Sequence, residues 1–249
     1  LGFDKVYDTC FSADLTVLEE GRELLHRIEQ GENLPIFTSC CPAWVKFAEQ
    51  YYPDLLGNLS TCRSPQQMFG SLAKRLLPQQ LGIAPDTLRV VSIMPCTAKK
   101  HEARRPEFTT DAGPDVDAVL TSQELGRMIE SAGIVFADLP EEEFDNPFGL
   151  GSGAGVIFGA SGGVTEAVAR FAAREIAQAP FTGPVQDREI ERGIRELRLD
   201  LGGRTITAAI SCSGAASSTV TTGALIRSAA LRPPAFLRTS RARPSDRTA

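Results

Sequence analysis

The sequence predicts an α/β fold with mostly parallel sheet, on three observations. Short apolar runs alternate with amphipathic stretches from about residue 4 to residue 177. Two of those runs, "LPIFTSC" at 34–40 and "LRVVSIMP" at 88–95, are close to continuously apolar, as strands covered on both faces are. Both lead into a cysteine at the start of a helix, and sites in parallel α/β sheets gather at such strand ends.

Taken in order, "DKVYDT" at 4–9 reads as a short strand. Ser12 can cap a helix running to Gln30, with Val17, Leu18, Gly21, Leu24, Leu25 and Ile28 on one apolar stripe. "LPIFTSC" is the next strand, and Pro42 suits the first turn of a helix over 42–51. Ser64 and Pro65 open another helix, to Leu77. "LRVVSIMP" is a strand stopped by Pro95 that delivers Cys96 at its end. "DAVLTSQELGRMIESAG" at 117–133 gives a strand, a Thr121 cap, a helix and a glycine stop. "GAGVIFGASGG" leads from Gly153 into a helix over 164–177, and strand-like segments follow near 189–197 and 204–210.

The 249 residues suffice for one large or two modest domains with a real core. No run of eighteen apolar residues occurs, and no basic-then-apolar leader opens the chain, so the expected location is the cytoplasm. The first residue is Leu1, and "LGFDKVYDT" reads as a helix end running into a strand; the expectation is a fragment that starts mid-domain. The net charge of −5 hides an asymmetry: residues 1–200 carry 30 acids against 19 bases, whereas 201–249 carry one acid and seven arginines. From residue 212 the amphipathic period is lost and Ser, Ala, Thr, Arg and Pro dominate. The expectation is a domain over 1–211 and an atypical basic tail over 212–249, disordered or read out of frame. A basic tail can also contact nucleic acid, with little beyond charge to support it here.

The six cysteines are Cys10, Cys40, Cys41, Cys62, Cys96 and Cys212. A disulfide framework is not expected without an export signal, which leaves packing, catalysis or metal. Cys41 and Cys96 each stand where a strand ends and a helix begins, a setting that favours the thiolate. Soft thiolates from separate loops suit an iron–sulfur cluster or zinc, and a spacing of 55 residues is unlike a zinc ribbon. Cys40, beside Cys41, is a second thiol that could pass a proton. On the first helix Glu20, Glu23 and Arg27 lie at i, i+3 and i+7, on the shoulder of the apolar stripe. That strip is either a proton route or a solvated face with an ordinary ion pair. Lys99, one turn after Cys96, is either an anion-holding cation or a surface lysine of "TAKKHEARR". His26 and His101 are too few for a zinc site or a triad, and "GASGGV" is a weak backbone-donor loop.

Together "TSCCPAW" (38–44), "MPCTAKKHE" (94–102) and "GAGVIFGASGGVTEA" (153–167) closely resemble the catalytic domain of [FeFe]-hydrogenases, and "ADLTVLEEG" and "SPQQMFG" fit the same family. The resemblance implies a two-lobed fold with mostly parallel twisted sheets flanked by helices, incomplete here at both ends. It implies an H-cluster: a four-iron, four-sulfur cubane joined through a cysteine sulfur to a diiron unit with CO, cyanide and azadithiolate ligands. Cys41 and Cys96 would be two of the four cubane ligands. Cys40 would exchange a proton with the azadithiolate amine, and Glu20, Ser60, Glu23 and Arg27 would carry it to solvent. Lys99 would hold a cyanide, with Met94, Pro95, Ser39, Pro65, Gln66, Phe158 and Gly159 around the diiron unit. The implied reaction is the reversible reduction of protons to H2, with ferredoxin or an NAD(P)H-linked subunit as electron partner, maturation proteins to build the cluster, and neither nucleic acid nor membrane.

One motif departs from that pattern. The family's third cysteine motif, which carries the other two ligands, should follow the strands near 189–210, and "ISCSGAA" around Cys212 does not match it. A non-catalytic relative of the same fold, of the cytosolic iron–sulfur assembly type, is therefore the alternative reading.

Overall fold

In the computed structural model, which describes residues 1–110, 113–146, 148–149, 151–160, 162–178, 185–191, 193–200, 205–211 and 223–228, helix α1 (Cys10–Gln30) is the spine. Its apolar stripe buries Val17 and Leu24, and Glu20 and Arg27 are buried on the same helix. Gly31 stops it in the left-handed conformation (φ 70°), its N–H bonded to the Arg27 carbonyl. Ser12 does not cap it. The Asp8 carboxylate takes the Cys10 N–H at 2.9 Å, and the Ser12 hydroxyl instead donates to the Thr9 carbonyl, one turn back. An acid suits a helix start better than a hydroxyl two residues inside it. The strand expected over 4–9 reduces to a single parallel bridge between Tyr7 and Asp145, with Val6 half exposed.

The segment after α1 yields a strand of two residues, β1 (Ile36–Phe37), then α2 (Pro42–Tyr51), with Cys41 as its N-cap residue and Pro42 at its first position. Helix α3 (Pro65–Leu81) is capped by Ser64 and runs four residues beyond the expected Leu77 before Gly82 closes it. Strand β2 (Val91–Met94) is followed by the one-and-a-half-turn α4 (Ala98–Glu102). A hairpin of β3 (Thr109–Thr110) and β4 (Gly113–Pro114) precedes β5 (Ala118–Thr121) and α5 (Ser122–Ser131). Thr121 caps α5 as expected, and Glu124 completes a reciprocal cap by accepting from the Thr121 N–H. Strands β2 and β5 pair in parallel, Val91 opposite Ala118 through Met94 opposite Thr121. β2 is less covered than expected: Ile93 is 38% exposed.

Helices α6 (Gly153–Ile157) and α7 (Gly163–Ala177) come next, then β6 (Gln186–Glu191), β7 (Ile194–Asp200), β8 (Thr205–Ser211) and β9 (Gly223–Ser228). These strands and β1 form one sheet in the order β1-β9-β8-β7-β6, antiparallel at every pairing. The parallel pairing expected from the sequence resides in β2 and β5; connections as short as those around β7 allow only hairpins. Helix α7 lays Val168, Ala169, Ala172 and Ala173 on Leu197, Leu199, Ile206, Ala208 and Ile210, and Leu24 and Ile36 close the same core. The alanines let α7 approach the sheet closely. Of the basic tail, Gly223–Ser228 is described as β9, lodged between β8 and β1; the rest, Cys212 included, lies outside the described residues.

Candidate functional site

Two polar networks meet at the 38–42 loop, between β1 and α2. The first hangs from α1. The Arg27 guanidinium, 8% exposed as a residue, donates to the carbonyls of Asn33, Gly57, Asn58 and Leu59 at 2.8–3.3 Å and to Glu23 at 2.6 Å. It therefore pins the 57–59 segment to α1 and brings Ser60 to the helix. The Ser60 hydroxyl donates to Glu23 Oε2 at 2.8 Å, and the Thr61 N–H reaches both Glu23 oxygens. Burial alone would push the Glu23 carboxyl up, but Ser60, Thr61 and Arg27 together hold it below the usual carboxylate range.

Glu20, one turn earlier, is 1% exposed, and neither of its oxygens has a hydrogen-bond partner. Burial pushes its carboxyl up to about 7, and the Glu23 charge adds to this; Ser60, the Ser39 N–H and Arg27 are near enough to pull the other way without reaching hydrogen-bonding geometry. A buried carboxyl without a partner is better tolerated with its proton on, which is the sense of this upward shift. Burial, the Glu20 charge and neighbouring acids push the half-buried Cys40 thiol up to about 12, against the pull of Lys99.

The second network hangs from α4. Lys99 Nζ donates to the Cys40 carbonyl at 2.7 Å and to both oxygens of Glu102 at 3.2 and 3.0 Å. Glu102 is 4% exposed and also accepts from Ser64 and from Gln66, at 2.9 and 3.0 Å. Gln66 in turn bonds the Lys99 carbonyl and accepts from Ser92 on β2. Lys99 is thus a clasp between α4 and the 38–42 loop rather than a surface lysine. Cys41 and Cys96 are free and half buried. Ser39 bonds the Cys62 carbonyl at 3.0 Å, Pro65 opens α3, and Met94 packs on Val116 and Val119, while Pro95 is exposed. Phe158 and Gly159 end α6, which packs on the start of α1 through Gly155.

Sequence reasoning missed Glu102 and Cys62. Glu102 had a signal, standing at i+3 from Lys99. Cys62 had none beyond its nearness to Ser60: its thiol lies 3.5 Å from Glu23 Oε2 and its N–H donates to the Ser60 oxygen. Beside it opens a cleft of about 350 Å³ lined by Ser39, Ser60, Thr61, Cys62, Ser64 and Arg105 among others.

Residues 1–227 match the family described as iron only hydrogenase large subunit, C-terminal domain. Among curated proteins, iron hydrogenase 1 of Clostridium pasteurianum is 45% identical over 212 residues, covering 84% of this chain and 37% of that protein. Cytosolic iron-sulfur assembly component 3 of Pongo abelii is 39% identical over 189 residues, covering 71% and 39%. A solved structure of apo [FeFe]-hydrogenase HydA1 from Chlamydomonas reinhardtii superposes with a TM-score of 0.70 at 44% identity, over 86% of this chain and 52% of that one. The chain thus spans between about a third and a half of the length of these relatives.

Proposed function

This chain belongs to the iron-only hydrogenase large-subunit family, and we propose that it is part of a catalytic domain that interconverts protons, electrons and H2. The observation that carries this reading is Glu20, a buried, unpartnered acid set between the Cys40 thiol and the Ser60–Glu23 pair. A structural ion pair has no use for a carboxyl of that kind; a proton relay does.

In this proposal Cys41 and Cys96 hold the cubane, and Lys99 offers its ammonium to a cyanide ligand. Ser39, Pro65, Gln66, Met94, Pro95, Phe158 and Gly159 shape the pocket. The donor set fits in part. Two free, half-buried thiols are the right soft ligands, but among the described residues no three His, Cys, Asp or Glu side chains converge to hold a metal ion. The cubane's other two thiolates would have to come from outside them. When bound, the cluster supplies the electrons and the iron at which hydrogen is made or split.

The chain's own residues handle the proton. Cys40 gives or takes it at Sγ, and Glu20, its carboxyl raised to about 7, holds it out of water. Ser60 takes it at Oγ and passes its own hydroxyl proton through the hydrogen bond to Glu23, whose lowered proton affinity keeps it from retaining the proton and favours release outward. Arg27 holds Glu23 in place. A ferredoxin-type or NAD(P)H-linked partner would exchange electrons, and maturation proteins would deliver the diiron unit. No described helix is long and apolar enough to cross a membrane. The five described cysteines are free, which fits a reducing cytoplasm.

The unmatched third motif favours a second reading, a cluster-binding assembly factor without hydrogen chemistry. The experiment that separates the two is Cys40→Ser in a chain completed with the family's third cysteine motif. The hydrogenase reading expects iron content unchanged and H2 turnover mostly lost. Turnover at the parent rate would remove Cys40 from the relay, and a completed parent with iron but no turnover would favour the assembly reading.

A further inference from the structure

We propose that Cys62 is the solvent-side member of the relay, passing protons between Glu23 and the cleft beside it. This rests on the reading of Glu20, Ser60 and Glu23 as a relay. The Glu23 carboxylate has four hydrogen-bonding neighbours: the Arg27 guanidinium, the Thr61 N–H, the Ser60 hydroxyl and the Cys62 thiol. A guanidinium has no lone pair to accept a proton and does not release one, and a backbone N–H is no better. Ser60 leads inward, toward Glu20. Of the four, only the Cys62 sulfur both accepts and donates on the outward side.

The place of Cys62 fits that task. Its side chain lines the cleft together with the hydroxyl-bearing Ser60, Thr61 and Ser64. Its backbone is fixed at both ends of the residue, the N–H on the Ser60 oxygen at 3.2 Å and the carbonyl on the Ser39 hydroxyl at 3.0 Å. In the outward step the Glu23 O–H bond breaks and a bond to Cys62 sulfur forms, while the original S–H proton leaves to water in the cleft. The inward step reverses both, and the thiol is unchanged at the end. Burial pushes this thiol up to about 12, so the two transfers occur together rather than through a free thiolate. The competing exit is direct release from Glu23, whose side chain is 14% exposed.

The test uses the chain as it stands, without a cluster. Near pH 6, about a unit below the value for Glu20, its protonated carboxyl gives an infrared C=O band that moves when the proton is exchanged for deuterium. Glu20→Gln assigns the band, and the exchange rate after transfer to D2O is then followed in Cys62→Thr and Cys62→Val, two nearly isosteric replacements. The thiol exit expects Thr to exchange like the parent and Val to be slower by about tenfold or more. Should the β-branched side chains unfold the chain, Cys62→Met keeps the sulfur without its proton and is expected to be as slow as Val. Ser60→Ala separates the two readings. If it does not slow exchange, the relay itself fails. If it does, while Val and Met exchange at the parent rate, Glu23 discharges directly and the role of Cys62 is overturned.

Discussion

Replacing Glu20 with Gln should change how the stability of this chain depends on pH, because the carboxyl carries its proton in the folded state up to about pH 7 but only to about 4.5 when unfolded. Between those values the folded state binds one proton more than the unfolded state, so stability falls as pH rises. Below the unfolded value both forms are protonated and Glu20 contributes no dependence; above the folded value both are ionised and the loss is complete. At 1.36 kcal/mol per pH unit, a separation of roughly 2.5 units amounts to about 3 kcal/mol. Glutamine keeps the shape and cannot ionise. The assay is urea unfolding of parent and Glu20→Gln at steps from about pH 4.5 to 8, a range below the titration of Cys40 and Cys62. The stability of the variant relative to the parent should rise by about 3 kcal/mol across the range, with most of the change below pH 7. A difference that stays flat would show that Glu20 loses its proton as an exposed glutamate does, and the buried proton carrier would be gone.

Glu102→Ala removes the carboxylate on which the α4 network converges and leaves the Lys99 ammonium poorly compensated; a loss of roughly 3–5 kcal/mol is expected in urea melts, and much less in the Glu102→Ala, Lys99→Met double variant. Arg27→Ala should cost a similar 3–5 kcal/mol, since it strands Glu23 and frees four carbonyls; Arg27→Lys should recover only part, having no fork to span them. Gly70→Ala places a methyl 2.6 Å from the Asp115 carbonyl oxygen and 2.7 Å from Val116, against backbone that cannot easily yield, so a loss of roughly 1–3 kcal/mol is expected by the same melts.

The helices were legible, and so were the starts of α2, α3 and α5, because each carried its own local reason; the start of α1 and the end of α3 were not. Pro42, Ser64 and Thr121 act within one turn of where they stand. The strands were harder. β9 lies in a stretch with no apolar alternation, and one of its two neighbours in the sheet, β1, is far away in sequence. Its place depends on partners, not on propensity. At the site, Glu20, Glu23 and Arg27 shared a helix face and could be read from spacing, and Cys41 and Cys96 from the strand ends. Spacing could not tell a solvated face from a buried one. That distinction comes from the 57–61 segment, which folds back over α1 and covers the strip. Glu102 stayed hidden because "KKHEARR" has the composition of a surface; it is buried because three partners from α3 and α4 surround it.

The proton side and the metal side of this site are held by different parts of the chain. Arg27, Glu23 and Ser60 are fixed by contacts among residues 23–62, a stretch that contains neither Lys99 nor Cys96. Lys99, Glu102 and Gln66 are fixed by contacts among residues 64–102. The Lys99 bond to the Cys40 carbonyl couples the two halves, and it joins a backbone atom to a side chain already anchored by Glu102. Neither set of contacts draws on a cluster or on the residues after 102. The placement of Ser60 and Glu23 beside Glu20, on which the proposed relay depends, is therefore a property of the folded polypeptide. The movement of its protons can be measured before any iron is present, which separates the question of whether this chain passes protons from the question of whether it makes hydrogen.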